Sequence, residues 1–214
     1  MFSAKSNSVF IHVPKTGGTT IEQLMGWDDS TFTIGKGGHP HLNIQETNIV
    51  HHREINTDTK WFTVIRNPWD RLVSEYFWMK RDPKVPQNKT RAEVRGVFRK
   101  LEFPDFCGVF WDNFLFGDHR HRLATTWFFN DYELTDFAYV GKFERYSSVI
   151  SDLGDLIDLP QKFDVHAHKN KKEDRKPYWE YYTDVEKSKI SECWGKDIAT
   201  LGYTFGEEDG IGTY

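Results

Sequence analysis

VFIHVPKTGGTT, residues 9–20, turns an apolar run into a glycine loop within a few positions. Val9, Phe10, Ile11 and Val13 are β-branched or aromatic and predict a short buried strand, which Pro14 ends. Gly17 and Gly18 allow backbone conformations closed to other residues. Thr19 and Thr20 stand three residues ahead of Glu22 and Gln23, the spacing of a capping box, so a helix is expected to open there. Ile21, Leu24 and Met25 recur at its period. Strand, loop and helix in that order aim the loop amides and the positive end of the helix at one spot. That spot suits an anion, and Lys15 adds a full positive charge. Glycine pairs also make tight strand-to-helix turns in folds that bind nothing, so the loop alone leaves that alternative open. The stretch is not the nucleotide loop G-x-x-x-x-G-K-[ST], in which the lysine follows the glycines and precedes a magnesium-binding hydroxyl. Here Lys15 comes first, which points to a phosphate-bearing ligand held without obligatory magnesium.

A second stretch repeats the logic downstream. WFTVIR, 61–66, predicts a strand that runs into NPWDRLVSEYFWMKR, where Asn67 suits an N-cap and Pro68 the first helical position. Trp69, Leu72, Val73, Tyr76 and Phe77 recur at one helical face, and polar Ser74 falls off that stripe. FAYVGKF, 137–143, predicts a third strand, followed by a helix to about Leu159. Strands alternating with helices imply an α/β fold with a parallel sheet. Elsewhere residues 27–46 read as loop, 47–55 as a short strand, and 92–102, 105–115 and 119–129 as helices. The charged segments 81–91 and 166–177 read as loops. Thr183 to Glu186 form a capping box for a last helix that buries Ile190, Cys193 and Trp194. No repeat or linker divides the 214 residues, so one domain, 1–214, is expected.

The net charge of −4 gives no basic footprint for nucleic acid, so any anion site must be local. An aromatic share of 16%, with eight tryptophans, stocks a core or a sugar-stacking surface, and composition does not separate the two. Cys107 and Cys193 lie in neither a redox nor a zinc motif. MFSAKSNSVF lacks the apolar centre of a signal peptide, and no window approaches the ~18 apolar residues of a membrane span. A soluble, cytoplasmic protein is the expectation.

In open parallel sheets ligands bind beyond the carboxyl ends of the strands, where both Lys15 and Arg66 fall. Ser74 follows Asn67 by two helical turns, so Arg66 and Ser74 can serve a second anion. The plainer alternative pairs Arg66 with Asp70 or Glu75 at the surface and leaves Ser74 in water. IHVPKTGGTT followed by VIRNPWDRLVSEY resembles the two cofactor signatures of the sulfotransferases, most closely the carbohydrate sulfotransferases that include heparan sulfate 2-O-sulfotransferase. The resemblance is looser over YVGKFERYSSV and over the C-terminal region ending in LGY, and nothing familiar stands between 81 and 136. It implies a P-loop NTPase-like three-layer fold, a central parallel sheet flanked by helices. It also implies a donor, 3′-phosphoadenosine 5′-phosphosulfate, used without a metal. By position, Lys15, Thr16, Gly17, Gly18, Thr19 and Thr20 would hold the 5′-phosphosulfate end, and Arg66 and Ser74 the 3′-phosphate. The implied reaction is sulfuryl transfer to an acceptor hydroxyl, of a carbohydrate first of all.

Such a transfer needs a group to take the hydroxyl proton, and histidine titrates in the right range. GGHPH resembles the histidine segment that supplies this base in 2-O-sulfotransferases, which makes His39 the first candidate and His41 the second. Lys15 would stabilise the leaving phosphate. His39/His41, His119/His121 and His166/His168 are all H-x-H pairs, a pattern that on a strand could hold a metal. Arg71 and the basic loop from Lys169 to Lys176 could touch an anion or simply face water. A P-loop-like nucleotide kinase and a non-catalytic carbohydrate- or nucleotide-binding module remain the alternatives.

Overall fold

The computed structural model describes residues 1–26, 41–80, 96–111, 119–157 and 175–207. In chain order its elements are β1 (Phe2–Ser3), β2 (Ser8–Ile11), α1 (Gly18–Leu24), α2 (Ile44–Val50), β3 (Lys60–Ile65), α3 (Pro68–Lys80), α4 (Phe103–Phe110), α5 (Thr125–Phe129), β4 (Tyr139–Lys142), α6 (Tyr146–Leu156) and α7 (Asp184–Leu201). The chain forms two compact units, Met1–Arg66 with Thr125–Lys172, and Asn67–Ala124 with Glu173–Tyr214.

The first unit carries the whole sheet, in the order β1-β2-β3-β4. β2, β3 and β4 are parallel, with Ile11 opposite Thr63 and Ile65 opposite Lys142. The short β1 pairs antiparallel to β2, an addition too brief to leave a periodic signal in sequence. The fold is therefore mixed α/β on a mostly parallel sheet, as the alternation predicts. Apolar side chains of one sheet face, Phe10, Phe62 and Val64, pack with Ile21 of α1 and with Val149 and Leu153 of α6. Each is at most 2% exposed. Burying a side chain of this size contributes roughly 1.5–3 kcal/mol, and here the same burial fixes α1 and α6 against the strands whose carboxyl ends carry Lys15 and Arg66.

Two local expectations are overturned in this unit. Where a strand is expected over 47–55, residues 47–50 belong to helix α2, which starts at Ile44 inside the stretch expected as loop, and 51–55 carry no strand. Asn43 Oδ1 accepts the Glu46 N–H at 2.8 Å while Glu46 Oε2 accepts the Asn43 N–H at 2.9 Å, a reciprocal cap that outweighs the β-branched Thr47, Ile49 and Val50. The start of α1 also differs. Its N-cap is Gly17, at φ +82°, with no side-chain cap bond, so neither threonine forms the expected capping box with Glu22 or Gln23.

In the second unit Asn67 caps α3 as its sequence position suggests, its Oδ1 accepting the N–H of Trp69 at 3.0 Å and of Asp70 at 3.3 Å. Thr183 and Glu186 form the capping box of α7. That helix buries Ile190 and Trp194, but Cys193 is only half-buried, a departure from the expected stripe where Trp194 leaves helical geometry and kinks the helix. The helix expected over 105–115 runs from Phe103 to Phe110. The one expected over 119–129 is split into a 3₁₀ turn, His119–Arg122, and α5. The loops predicted at 81–91 and for most of 166–177 lie outside the described residues, as does His39. Among the described residues no helix is long and apolar enough to cross a membrane.

Candidate functional site

The loop between β2 and α1 is held by contacts from three directions within the first unit. Thr16, fully buried, turns its hydroxyl inward to donate to the Val13 carbonyl at 2.9 Å. The Tyr146 hydroxyl, at the start of α6, donates to the Gly17 carbonyl at 2.6 Å. Burial, partly opposed by a hydrogen bond with the Thr20 side chain, pushes this phenol up to about 12, so it remains a neutral donor at any working pH. The ring lies against Gly17 so closely that a Cβ there would sit 2.6 Å from Tyr146 Cε2.

Arg66 supplies the third hold. Its Nη1 donates to the Lys15 carbonyl at 2.9 Å, its guanidinium lies 4.0 Å from the centroid of the Phe143 ring, and it is buried. Within the second unit, Asp70 pairs with Arg175 and Glu75 with His121. Lys15 itself stands at φ +68°, a left-handed conformation that costs a non-glycine residue about 1–2 kcal/mol. Such strain persists where surrounding contacts over-determine it, and the Arg66 bond to the Lys15 carbonyl is one of those contacts. The two sequence motifs thus meet directly, through a main-chain carbonyl that no side-chain pattern could have signalled.

His12 and Glu22 add a buried pair at the same loop. His12 Nδ1–H donates to Glu22 Oε1 at 2.9 Å, with the two side chains 7% and 5% exposed. His41, also buried, donates from Nδ1 to the His12 carbonyl at 2.9 Å. A carbonyl only accepts, so Nδ1 carries a proton, and in the neutral ring the lone pair lies on Nε2. That is the tautomer a general base requires. Lys142 ends β4 in register with Ile65, and burial lowers the pKa of its ammonium, with Glu144 opposing. It is a further cation at the carboxyl edge of the sheet, which the sequence reading passed over although a lysine closing a predicted strand was visible.

Ser74 lies in the second unit, on α3, and is buried rather than solvated. Arg71, considered above as an anion contact, is committed within that unit. It is buried, donates to the carbonyls of Leu123 and His121 at 2.8 and 3.2 Å, and stacks on Trp194 at 4.5 Å. His121 Nδ1 donates to Glu75 Oε2 at 2.8 Å. The Cys107 thiol is buried and pushed up by that burial, which makes it inert. Among the described residues no group of three or more His, Cys, Asp or Glu side chains is placed to hold a metal.

The first unit thus sets a lysine-bearing glycine loop after one parallel strand and a buried arginine at the end of the next, cations that suit an anion. The chain matches the model of the sulfotransferase family over residues 1–204 and belongs to that family. No curated protein and no solved structure shows significant similarity to it. The family assigns sulfuryl transfer as the general chemistry.

Proposed function

We propose that the chain moves a sulfuryl group from 3′-phosphoadenosine 5′-phosphosulfate to an acceptor hydroxyl, of a carbohydrate first of all, with a histidine as general base and no metal. The observation that carries the reading is the Arg66 bond to the Lys15 carbonyl, which couples the two motifs expected to hold the two ends of this donor. The residues present fit such a group. Lys15, Arg66 and the amides at the start of α1 are donors or cations, and Glu22, an acidic residue inside the loop-helix motif, is turned to His12. The assignments of Gly17, Gly18, Thr19 and Thr20 to the 5′ end and of Ser74 to the 3′-phosphate follow the sequence resemblance, as does the three-layer P-loop-like fold.

The donor supplies an activated sulfuryl group, whose bond to the 5′-phosphate oxygen breaks as a bond to the acceptor oxygen forms. Lys15 and the loop amides would stabilise the charge left on that phosphate oxygen. His41 Nε2, in the tautomer described above, or His39 takes the acceptor proton. The inward turn of the Thr16 hydroxyl speaks against the kinase alternative, because a nucleotide loop needs the hydroxyl after its lysine for magnesium.

Calorimetric titration with 3′,5′-adenosine bisphosphate in the absence of magnesium tests the reading. Binding should be tight, and Lys15→Ala should weaken it by about ten- to a hundredfold, the worth of one charge-assisted hydrogen bond. With labelled donor and an acceptor screen, His41→Ala or His39→Ala should bind the bisphosphate normally and transfer nothing. Binding of ATP with magnesium instead of the bisphosphate would overturn the proposal in favour of the kinase.

A further inference from the structure

We propose that His12 and Glu22 form a positioning pair that sets the glycine loop, and the candidate base His41, at the spacing the sulfonucleotide requires; this rests on the reading above. His12 is the first residue beyond β2, and Glu22 lies one turn into α1. Their hydrogen bond at 2.9 Å therefore spans the loop from end to end. Gly18 precedes Glu22 by one helical turn, so the two share a face of α1. The imidazole fills the notch that Gly18 leaves, where a Cβ would lie 2.2 Å from His12 Nε2. The ring also stacks on Phe10, with centroids 5.4 Å apart, and meets His41 edge-on at 4.3 Å. The His12 carbonyl accepts the hydrogen bond of His41 Nδ1–H at 2.9 Å. One residue thus touches the loop, the helix after it and the candidate base.

Stability alone does not call for this arrangement. A buried ion pair replaced by apolar residues of similar volume often leaves a protein as stable or more so, and the Phe10 ring stacked on His12 would accept such a replacement. What an apolar pair cannot supply is a directional bond that fixes the loop ends, and small misplacements at a reacting site are costly.

The test is titration of the full chain with 3′,5′-adenosine bisphosphate, with thermal unfolding measured alongside. His12→Leu should weaken binding by about tenfold or more, in line with the cost of a misplaced site. His12→Asn puts an amide donor near the place of Nδ1 and should stay within about threefold of the parent. Should the orphaned carboxylate keep His12→Leu from folding, the double variant His12→Leu/Glu22→Leu removes that carboxylate, leaves the buried Met1 ammonium that Glu22 favours with its bond to the Phe10 carbonyl at 2.6 Å, and should fold yet bind as weakly. A double variant that folds and binds like the parent would show a purely structural pair and end the inference, leaving the proposed function intact. A parent protein that does not bind the bisphosphate would overturn both.

Discussion

Alanine at Gly18 should leave the protein less stable by about 3 kcal/mol, from overpacking together with a strained buried hydrogen bond, and without measurable affinity for 3′,5′-adenosine bisphosphate. The added Cβ would stand 2.1 Å from His12 Cδ2 and 2.2 Å from Nε2. Relief would have to come from the imidazole, and the imidazole is not a flexible side-chain end. It is bonded to Glu22 at 2.9 Å and stacked on Phe10, so any shift breaks a buried bond or moves the core. The alternative is for α1 to back away from β2, which opens the loop. Both routes damage the anion site, and only their proportions differ. Gly154, in the last turn of α6 with nothing within 4 Å of its would-be Cβ, is the matched control. Alanine there should be neutral or stabilising by up to about 1 kcal/mol. Denaturant midpoints for the two variants decide the matter: equal stability of Gly18→Ala and the parent would mean that the ring is not held as described.

The parts of this molecule that sequence discloses are those governed by local pattern. The strand at 9–11, the loop, the helix capped by Asn67 and the box at Thr183 each follow from residue type and spacing within a few positions. Elsewhere two local signals compete, and the one with directional hydrogen bonds prevails over residue type. Asn43 and Glu46 spell a capping box, yet the β-branched content of 47–50 suggested a strand. At α1 two threonines offered a side-chain cap, but Gly17 at positive φ satisfies the turn without one, because the preceding loop already arrives left-handed at Lys15. The site is less legible than the fold. Lys15 and Arg66 stand out from the motifs, but their mutual arrangement runs through contacts no pattern encodes. Arg66 reaches a main-chain carbonyl 51 positions away, and Tyr146 reaches another 129 positions away. His12 in an apolar run reads as an ordinary core histidine until Glu22 is seen beside it. These are consequences of sheet order, which brings the ends of β2, β3 and β4 side by side.

Among changes to a charged side chain, removing Arg66 should be the most damaging to ligand binding. The motif resemblance gives Arg66 one task, holding a 3′-phosphate. The structure gives it a second, since its Nη1 holds the carbonyl of a lysine kept at φ +68°. The two tasks predict different ligand dependence. If Arg66 only met the 3′-phosphate, Arg66→Ala would weaken 3′,5′-adenosine bisphosphate and leave unchanged the binding of adenosine 5′-phosphosulfate, which lacks that group. Because the Lys15 carbonyl loses its donor as well, the strained residue is free to relax toward ordinary backbone, a gain of about 1–2 kcal/mol that favours the misplaced loop. Arg66→Ala should therefore weaken the bisphosphate by about a hundredfold or more, two lost charge-assisted contacts, and adenosine 5′-phosphosulfate by about tenfold. Lysine should not rescue. An ammonium offers no planar fork with which to bond a carbonyl while lying flat on Phe143, as the guanidinium does at 4.0 Å. Parallel titrations of the two nucleotides into parent, Arg66→Ala and Arg66→Lys resolve the question, and unchanged affinity for adenosine 5′-phosphosulfate in Arg66→Ala would confine this arginine to the 3′-phosphate alone.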